Sequence, residues 1–199
     1  MHAMRSMRDS DLRHAVKHRL LSSFHSDPNT LIVDELGLRH GAGRVDIAVI
    51  NGELHGYELK SDHDTLRRLP RQVAVYNSVL DRVTLVVTAC HWPQASSLIP
   101  EWWEVVLAES HTPHPIKFCT VRTGSTNPAV SALAIAKLLW RDEALRFLEV
   151  IGAADGLKSK PRRIIYNRLV EVVDLANLRG RVRDQLRSRQ DWRPVEPQT

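Results

Sequence analysis

Two short apolar stretches of this chain carry charges where an ordinary sheet would have none. The first is Arg44-Val45-Asp46-Ile47-Ala48-Val49-Ile50 and the second is Gly56-Tyr57-Glu58-Leu59-Lys60, with Asn51-Gly52 between them. Their composition predicts strands over 44–50 and 54–60 joined by a turn. Asp46, Glu58 and Lys60 then fall inside strands that read as buried, where a charge is costly unless paired or bound to a metal. The loop decides whether the three can meet. A two-residue Asn51-Gly52 loop pairs Ile50 with Glu53 and Asp46 with Tyr57, which puts Asp46 and Glu58 on opposite faces. A three-residue loop over 51–53 pairs Ile50 with Leu54 and Asp46 with Glu58, and all three charges share a face. An odd-length loop or a bulge is therefore expected.

The remaining elements follow from periodicity and punctuation. Residues 8–24 read as a helix that Asp9 or Ser10 could cap, ended by Asp27-Pro28-Asn29. Leu31 to Leu38 reads as a strand. Residues 64–80 read as one helix or two short ones, with Asp64 as N-cap and Pro70 in a first turn. Strands are expected over 83–89, 103–107 and 116–122, with a short helix over 94–99. Gly124 to Pro128 reads as a linker. Helices are expected over 129–140, 142–152, 161–174 and 175–189, and a loose tail from Trp192. The order implies an α/β core over 1–125 and a basic, α-helical C-terminal extension over 126–199.

Charge is distributed unevenly. From Lys158 to Thr199 there are 11 Lys and Arg against 5 Asp and Glu, whereas the rest of the chain holds 17 against 18. A basic helical segment suits a polyanion, most simply nucleic acid. Arg162, Arg163, Arg168, Arg179, Arg181 and Arg183 are the candidate phosphate contacts. Residues 1–20 lack the apolar core of a signal peptide, and no apolar run approaches the ~20 residues of a membrane span. A cytoplasmic protein without a membrane partner is expected. Cys90 and Cys119 have no metal-ligand spacing and read as buried thiols in strands. None of the ten His residues is assigned to a metal. Trp92, Trp102 and Trp103 read as core rather than as an exposed interaction patch.

The chemistry lies in the charged strands. Asp46 and Glu58 offer hard oxygen ligands suited to Mg²⁺ or Mn²⁺, and the backbone carbonyl of Leu59 offers another. Lys60 places an ammonium beside them, able to orient a water and stabilise charge growing on a phosphate. Glu35 is the candidate third carboxylate. Gln72 and Tyr76 are one helical turn apart and face the same way, toward the site or a nucleic-acid backbone.

Asp46, then Glu58-Leu59-Lys60, then Gln72-x-x-x-Tyr76 resembles the PD-(D/E)XK nuclease superfamily, and the Gln-x-x-x-Tyr is similar to that of its RecB-like branch. The span from Glu35-Leu36-Gly37 through Gly56-Tyr57-Glu58-Leu59-Lys60-Ser61-Asp62 and Asp64-Thr65-Leu66-x-Arg68-Leu69 also resembles small bacterial and phage-borne "sce" family proteins, as does Ile99-Pro100-x-Trp102-Trp103. Val45 stands where the superfamily expects Pro. The resemblance implies a restriction-endonuclease-like core, a central mixed sheet flanked by helices. It also implies Mg²⁺-dependent cleavage of DNA, endo- or exonucleolytic, with Asp46, Glu58 and Lys60 as the catalytic set. Cutting both strands of a duplex with one site per chain would call for a homodimer. The alternative is a nucleic-acid-binding module on a catalytically retired nuclease fold.

Overall fold

A computed structural model describes residues 6–110 and 114–189. Its centre is a six-stranded sheet whose strands lie side by side in chain order. They are β1 (Leu31–Leu38), β2 (Gly43–Ile50), β3 (Leu54–Lys60), β4 (Arg82–Thr88), β5 (Glu104–Glu109) and β6 (Lys117–Arg122). The β1–β2, β2–β3 and β5–β6 pairs are antiparallel, and β3–β4 and β4–β5 are parallel. The sheet is therefore mixed.

Parallel neighbours need a crossover. Helix α2 (Leu69–Val79) returns the chain from β3 to β4, and α3 (Trp92–Ala95) returns it from β4 to β5. Both pack on one face, where Tyr76, Val79, Ala95 and Ile99 join Leu85, Val87 and Trp103 in the larger core cluster. Helices α4 (Ala132–Ala136), α5 (Arg141–Val150), α6 (Arg162–Val172) and α7 (Leu175–Ser188) add Ile135, Leu148, Leu169, Val182 and Leu186 to that cluster. The opposite face is covered by α1 (Asp9–Ala15), whose Leu12 packs with Ile47, Val49, Leu59 and Val86. Gly43 marks a close approach of β2 to α2, because a β-carbon there would lie 2.9 Å from a Val75 methyl.

Several expectations are corrected. The N-terminal helix is α-helical only to Ala15. It widens into a π-type turn over Val16–Leu20 and ends as a 3₁₀ turn over Ser22–Phe24. Its first turn is closed by Asp11, which accepts the Arg8 N–H at 3.4 Å. The segment 64–80 divides into a 3₁₀ turn at Leu66–Arg68 and α2, with Pro70 in the first turn. Asp64 does not cap it, because its carboxylate accepts the Ser61 N–H at 2.8 Å. The helix expected over 129–140 is helical only from Ala132 to Ala136. The stretch 124–128, read as a linker, is irregular and docked on the core. Asn127 donates to the carbonyls of Asn77 and Leu80, both at 2.8 Å, and a β-carbon at Gly124 would meet the Glu104 backbone nitrogen at 2.7 Å.

Both cysteines are exposed, not buried. Cys119 lies on edge strand β6, which has one neighbouring strand, and Cys90 lies in the turn after β4. Trp103 is fully buried, and Trp92 and Trp102 pack partly buried against the core. No helix among the described residues is long and apolar enough to cross a membrane. The tail from Trp192 lies outside the described residues.

Candidate active site

The β2–β3 ladder places Ile50 opposite Leu54 across a three-residue loop, as the charge argument requires, and runs to Ile47 opposite Tyr57. Beyond that pair β2 parts from β3. The Leu59 N–H goes to the Asp46 carboxylate, Oδ2 accepting at 2.8 Å. A cleft of about 610 Å³ lies beside this parting. Glu35, Asp46, Glu58, Leu59, Lys60 and Gln72 all line it. Leu59 takes part through its backbone, for its side chain packs against α1 on the opposite face of the sheet.

Glu58 and Lys60 are buried, 1% and 4% exposed. A buried ion pair is tolerable only when its remaining polar sites are filled, and those of the Glu58 carboxylate are. Lys60 Nζ lies 2.5 Å from Glu58 Oε1. Gln72 Nε2 donates to the same oxygen at 2.6 Å, and the Tyr76 hydroxyl lies 2.5 Å from Oε2 and 2.7 Å from the Arg44 carbonyl. Gln72 and Tyr76 therefore share a helix face, and that face grips Glu58. Tyr76 does so from inside the core, where it is fully buried. Burial pushes the Glu58 carboxyl up to about 7, with Asp46 adding to the rise and Lys60 and Tyr76 opposing it. Burial also pushes Asp46 up, against the Leu59 N–H, Arg13 and Lys60. Burial and Glu58 push the Tyr76 phenol up, so it stays protonated.

Glu35 stands opposite Asp46 in the β1–β2 register, between the pairs Asp34–Ile47 and Leu36–Val45. Its φ of 57° is left-handed, unusual for a non-glycine residue and more so within a strand. Burial and Asp46 push its carboxyl up, and Arg13 and Arg44 pull it down. Arg13, from α1, donates to the Asp46 carbonyl at 2.9 Å, to Glu35 Oε1 at 3.1 Å and to Asp46 Oδ1 at 3.4 Å. Arg44 pairs with the other oxygen of Glu35.

Sequence reasoning missed the arginines of this cleft. Arg13 and Arg44 hold the acids, while Arg68 and Arg71 line the cleft exposed and without an ion pair among the described residues. The signal was present in Arg67-Arg68-Leu69-Pro70-Arg71, where three arginines crowd the first turn after the Glu58-x-Lys60 strand. The six arginines of the C-terminal helices do not line this cleft. Arg179 and Arg183 converge on buried Asp81, Arg168 pairs with Glu171 at 3.1 Å, and Arg181 lies over the Phe147 ring. Arg163 is exposed, and Arg162 lines a neighbouring groove.

Among the described residues no group of three or more His, Cys, Asp or Glu is placed to hold a metal ion. Asp46 and Glu58 form a two-carboxylate set. The buried Gln72 Oε1 beside them has no hydrogen-bond partner among the described residues. Two carboxylates and a spare oxygen acceptor suit Mg²⁺, which keeps several waters and takes one or two protein carboxylates.

A family model described as bacteriophage P4 protein cII matches residues 3–193. The chain belongs to that family. A curated relative, protein cII of Enterobacteria phage P4, is 26% identical over 121 residues, covering 61% of this chain and 46% of the relative. The match thus spans about half the length of that relative. A solved structure, a protein of unknown function from Silicibacter pomeroyi, superposes with a TM-score of 0.40 at 18% identity, covering 75% of this chain and 94% of that one. Membership of the cII family corrects the resemblance read from the motif. Both the family model and the curated relative point to cII, and nothing in them points to the PD-(D/E)XK superfamily or the "sce" proteins. A pattern of five positions holds far less information than a match over nearly the whole chain.

Proposed function

We propose that this protein is a metal-dependent phosphodiesterase acting on DNA. The observation that carries the reading is the buried Glu58–Lys60 pair beside Asp46 where β2 and β3 part. A carboxylate and an ammonium held in a sheet at this cost are more readily explained by chemistry than by stability. The nuclease-like character of the core belongs to this proposal and rests on the site alone.

Hydrolysis adds water across one P–O bond, so a proton must leave the water and another must reach the departing oxygen. Asp46 and Glu58 would hold Mg²⁺ or Mn²⁺, with the Leu59 carbonyl as a further oxygen donor. The bound ion supplies a polarised phosphate and an acidified water. Lys60 orients the attacking water and neutralises charge gathering on the phosphate oxygens. Gln72 and Tyr76 fix the Glu58 carboxylate, and Arg13 fixes Asp46 and Glu35. Arg68 and Arg71 are free to hold flanking phosphates.

One observation favours a second reading. Lys60 already neutralises Glu58, and Arg13 bridges Asp46 and Glu35. A site so balanced could bind a nucleic-acid strand without turning it over. Calorimetric titration with Mn²⁺ separates the two. The proposal expects binding in the wild type that is lost in Glu58→Ala. Salt-sensitive DNA binding by a protein that takes up no metal would favour the binding module.

A further inference from the structure

A second groove, of about 530 Å³, opens beside the cleft and shares Glu35, Gly37 and Gly41 with it. We propose that this groove binds a single strand of nucleic acid leading out of the cleft, with Trp140 stacking on a base and Lys137 and Arg162 holding phosphates. The proposal rests on the function proposed above for its choice of nucleic acid over other polyanions.

Three observations support it. Trp140 is 55% exposed, an unusual state for so large an apolar side chain, and the Arg189 guanidinium backs its ring at 4.4 Å. An exposed aromatic among cations is the arrangement that holds unpaired bases, because every base has a face to stack. Lys137 and Arg162 line the same groove, and neither makes an ion pair among the described residues. The groove's acids are already engaged, Asp34 with Lys17 at 2.6 Å and Glu35 with Arg13 and Arg44. Its remaining charge is therefore positive, complementary to a phosphate backbone.

The junction of the two clefts is also held in an unusual backbone. Arg39 and His40 have φ of 50° and 58°, left-handed at non-glycine residues. That conformation sets the His40 ring 5.4 Å from Tyr166, whose hydroxyl donates to the Leu139 carbonyl at 2.9 Å in the groove wall. Burial, Arg162 and Lys137 all push the His40 imidazole down. Its ring lends the groove a flat aromatic surface beside those two cations.

The test is fluorescence anisotropy with a fluorescein-labelled oligothymidylate of about 12 nucleotides and a duplex of equal length, within the span one such tract covers. EDTA keeps every strand intact. The wild type is expected to bind the single strand more tightly than the duplex. Trp140→Ala should weaken single-strand binding roughly five- to hundredfold, the worth of one stacked base, and Trp140→Phe should retain most of it. Lys137→Glu should weaken binding and flatten its salt dependence. Unchanged affinity in both Trp140→Ala and Lys137→Glu, or tighter binding of the duplex, would overturn the proposal. The two readings fail separately. Binding through Trp140 by a protein that never cuts DNA would sink the hydrolytic function and leave the groove. Cutting by a protein whose single-strand affinity ignores both residues would do the reverse.

Discussion

Glu35 shows at single-residue scale how the site departs from an ordinary sheet. It stands in β1 opposite Asp46 with φ at 57°, a conformation that costs an L-residue roughly 1–2 kcal/mol. Two arginines hold its carboxylate, so the strain and the pairing coincide. Replacing it separates the two effects. Glu35→Ala loses the pairing and keeps the strain, whereas Glu35→Gly loses both. The glycine variant should be the more stable by about 1 kcal/mol in urea denaturation, and equal stability would mean the backbone there carries no strain. Little of this could be read from the chain. That Asp46, Glu58 and Lys60 belong together followed from the register argument, because alternation ties the faces of paired strands. That Gln72 and Tyr76 would share one helix face followed from helical spacing, but that this face grips Glu58 did not. The left-handed backbone at Glu35 and the reach of Arg13 from α1 depend on tertiary packing, and no local pattern encodes them.

At the scale of elements, the basic C-terminal helices serve more than one purpose. Arg179 and Arg183 of α7 both reach Asp81, whose side chain is 2% exposed just before β4. Asp81 also accepts the Leu54 N–H at 2.8 Å, so one carboxylate ties α7 to the end of the sheet where β3 and β4 begin. Asp81→Ala leaves two half-buried guanidinium groups unpaired and a strand N–H unsatisfied. It should cost about 2–4 kcal/mol in urea denaturation. A loss under about 0.5 kcal/mol would show that α7 is held by its apolar face alone. A surplus of arginine in sequence reads as an electrostatic footprint, yet sequence cannot tell a guanidinium facing solvent from one turned inward onto a buried acid. The interior place of β4 was more legible. The β-branched run of β4 suited a sheet interior, and it lies between β3 and β5. Helix lengths were read less well, because Ala- and Leu-rich runs such as 129–140 favour helix locally while packing lets only Ala132–Ala136 coil.

At the scale of the molecule, stability and function draw on the same sheet. His55 on β3 stacks on Tyr57 and contacts Thr84 Oγ1 at 2.8 Å, and burial, with Arg82 adding, lowers its imidazole to about 4. A His whose folded-state value lies below the unfolded ~6.5 stabilises the fold above that pH and loses this contribution as pH falls toward 4. Glu58 opposes it, since a carboxyl raised to about 7 stabilises the folded state as pH falls from 7 toward its unfolded range. The net slope therefore mixes the two groups, and the difference between wild type and His55→Gln isolates the imidazole. The advantage of wild type over the variant should shrink by at most about 3 kcal/mol between pH 7 and pH 4, and an advantage constant over that range would place His55 outside the titration. The larger claim is that the parting of β2 from β3 makes a hydrolytic site. It is tested most directly by offering single-stranded, duplex and branched DNA with Mg²⁺ or Mn²⁺ to the wild type and to Lys60→Ala. The account predicts metal-dependent cutting of at least one substrate by the wild type and its loss in Lys60→Ala. Absence of cutting by both proteins, with DNA bound equally well by each, would contradict it.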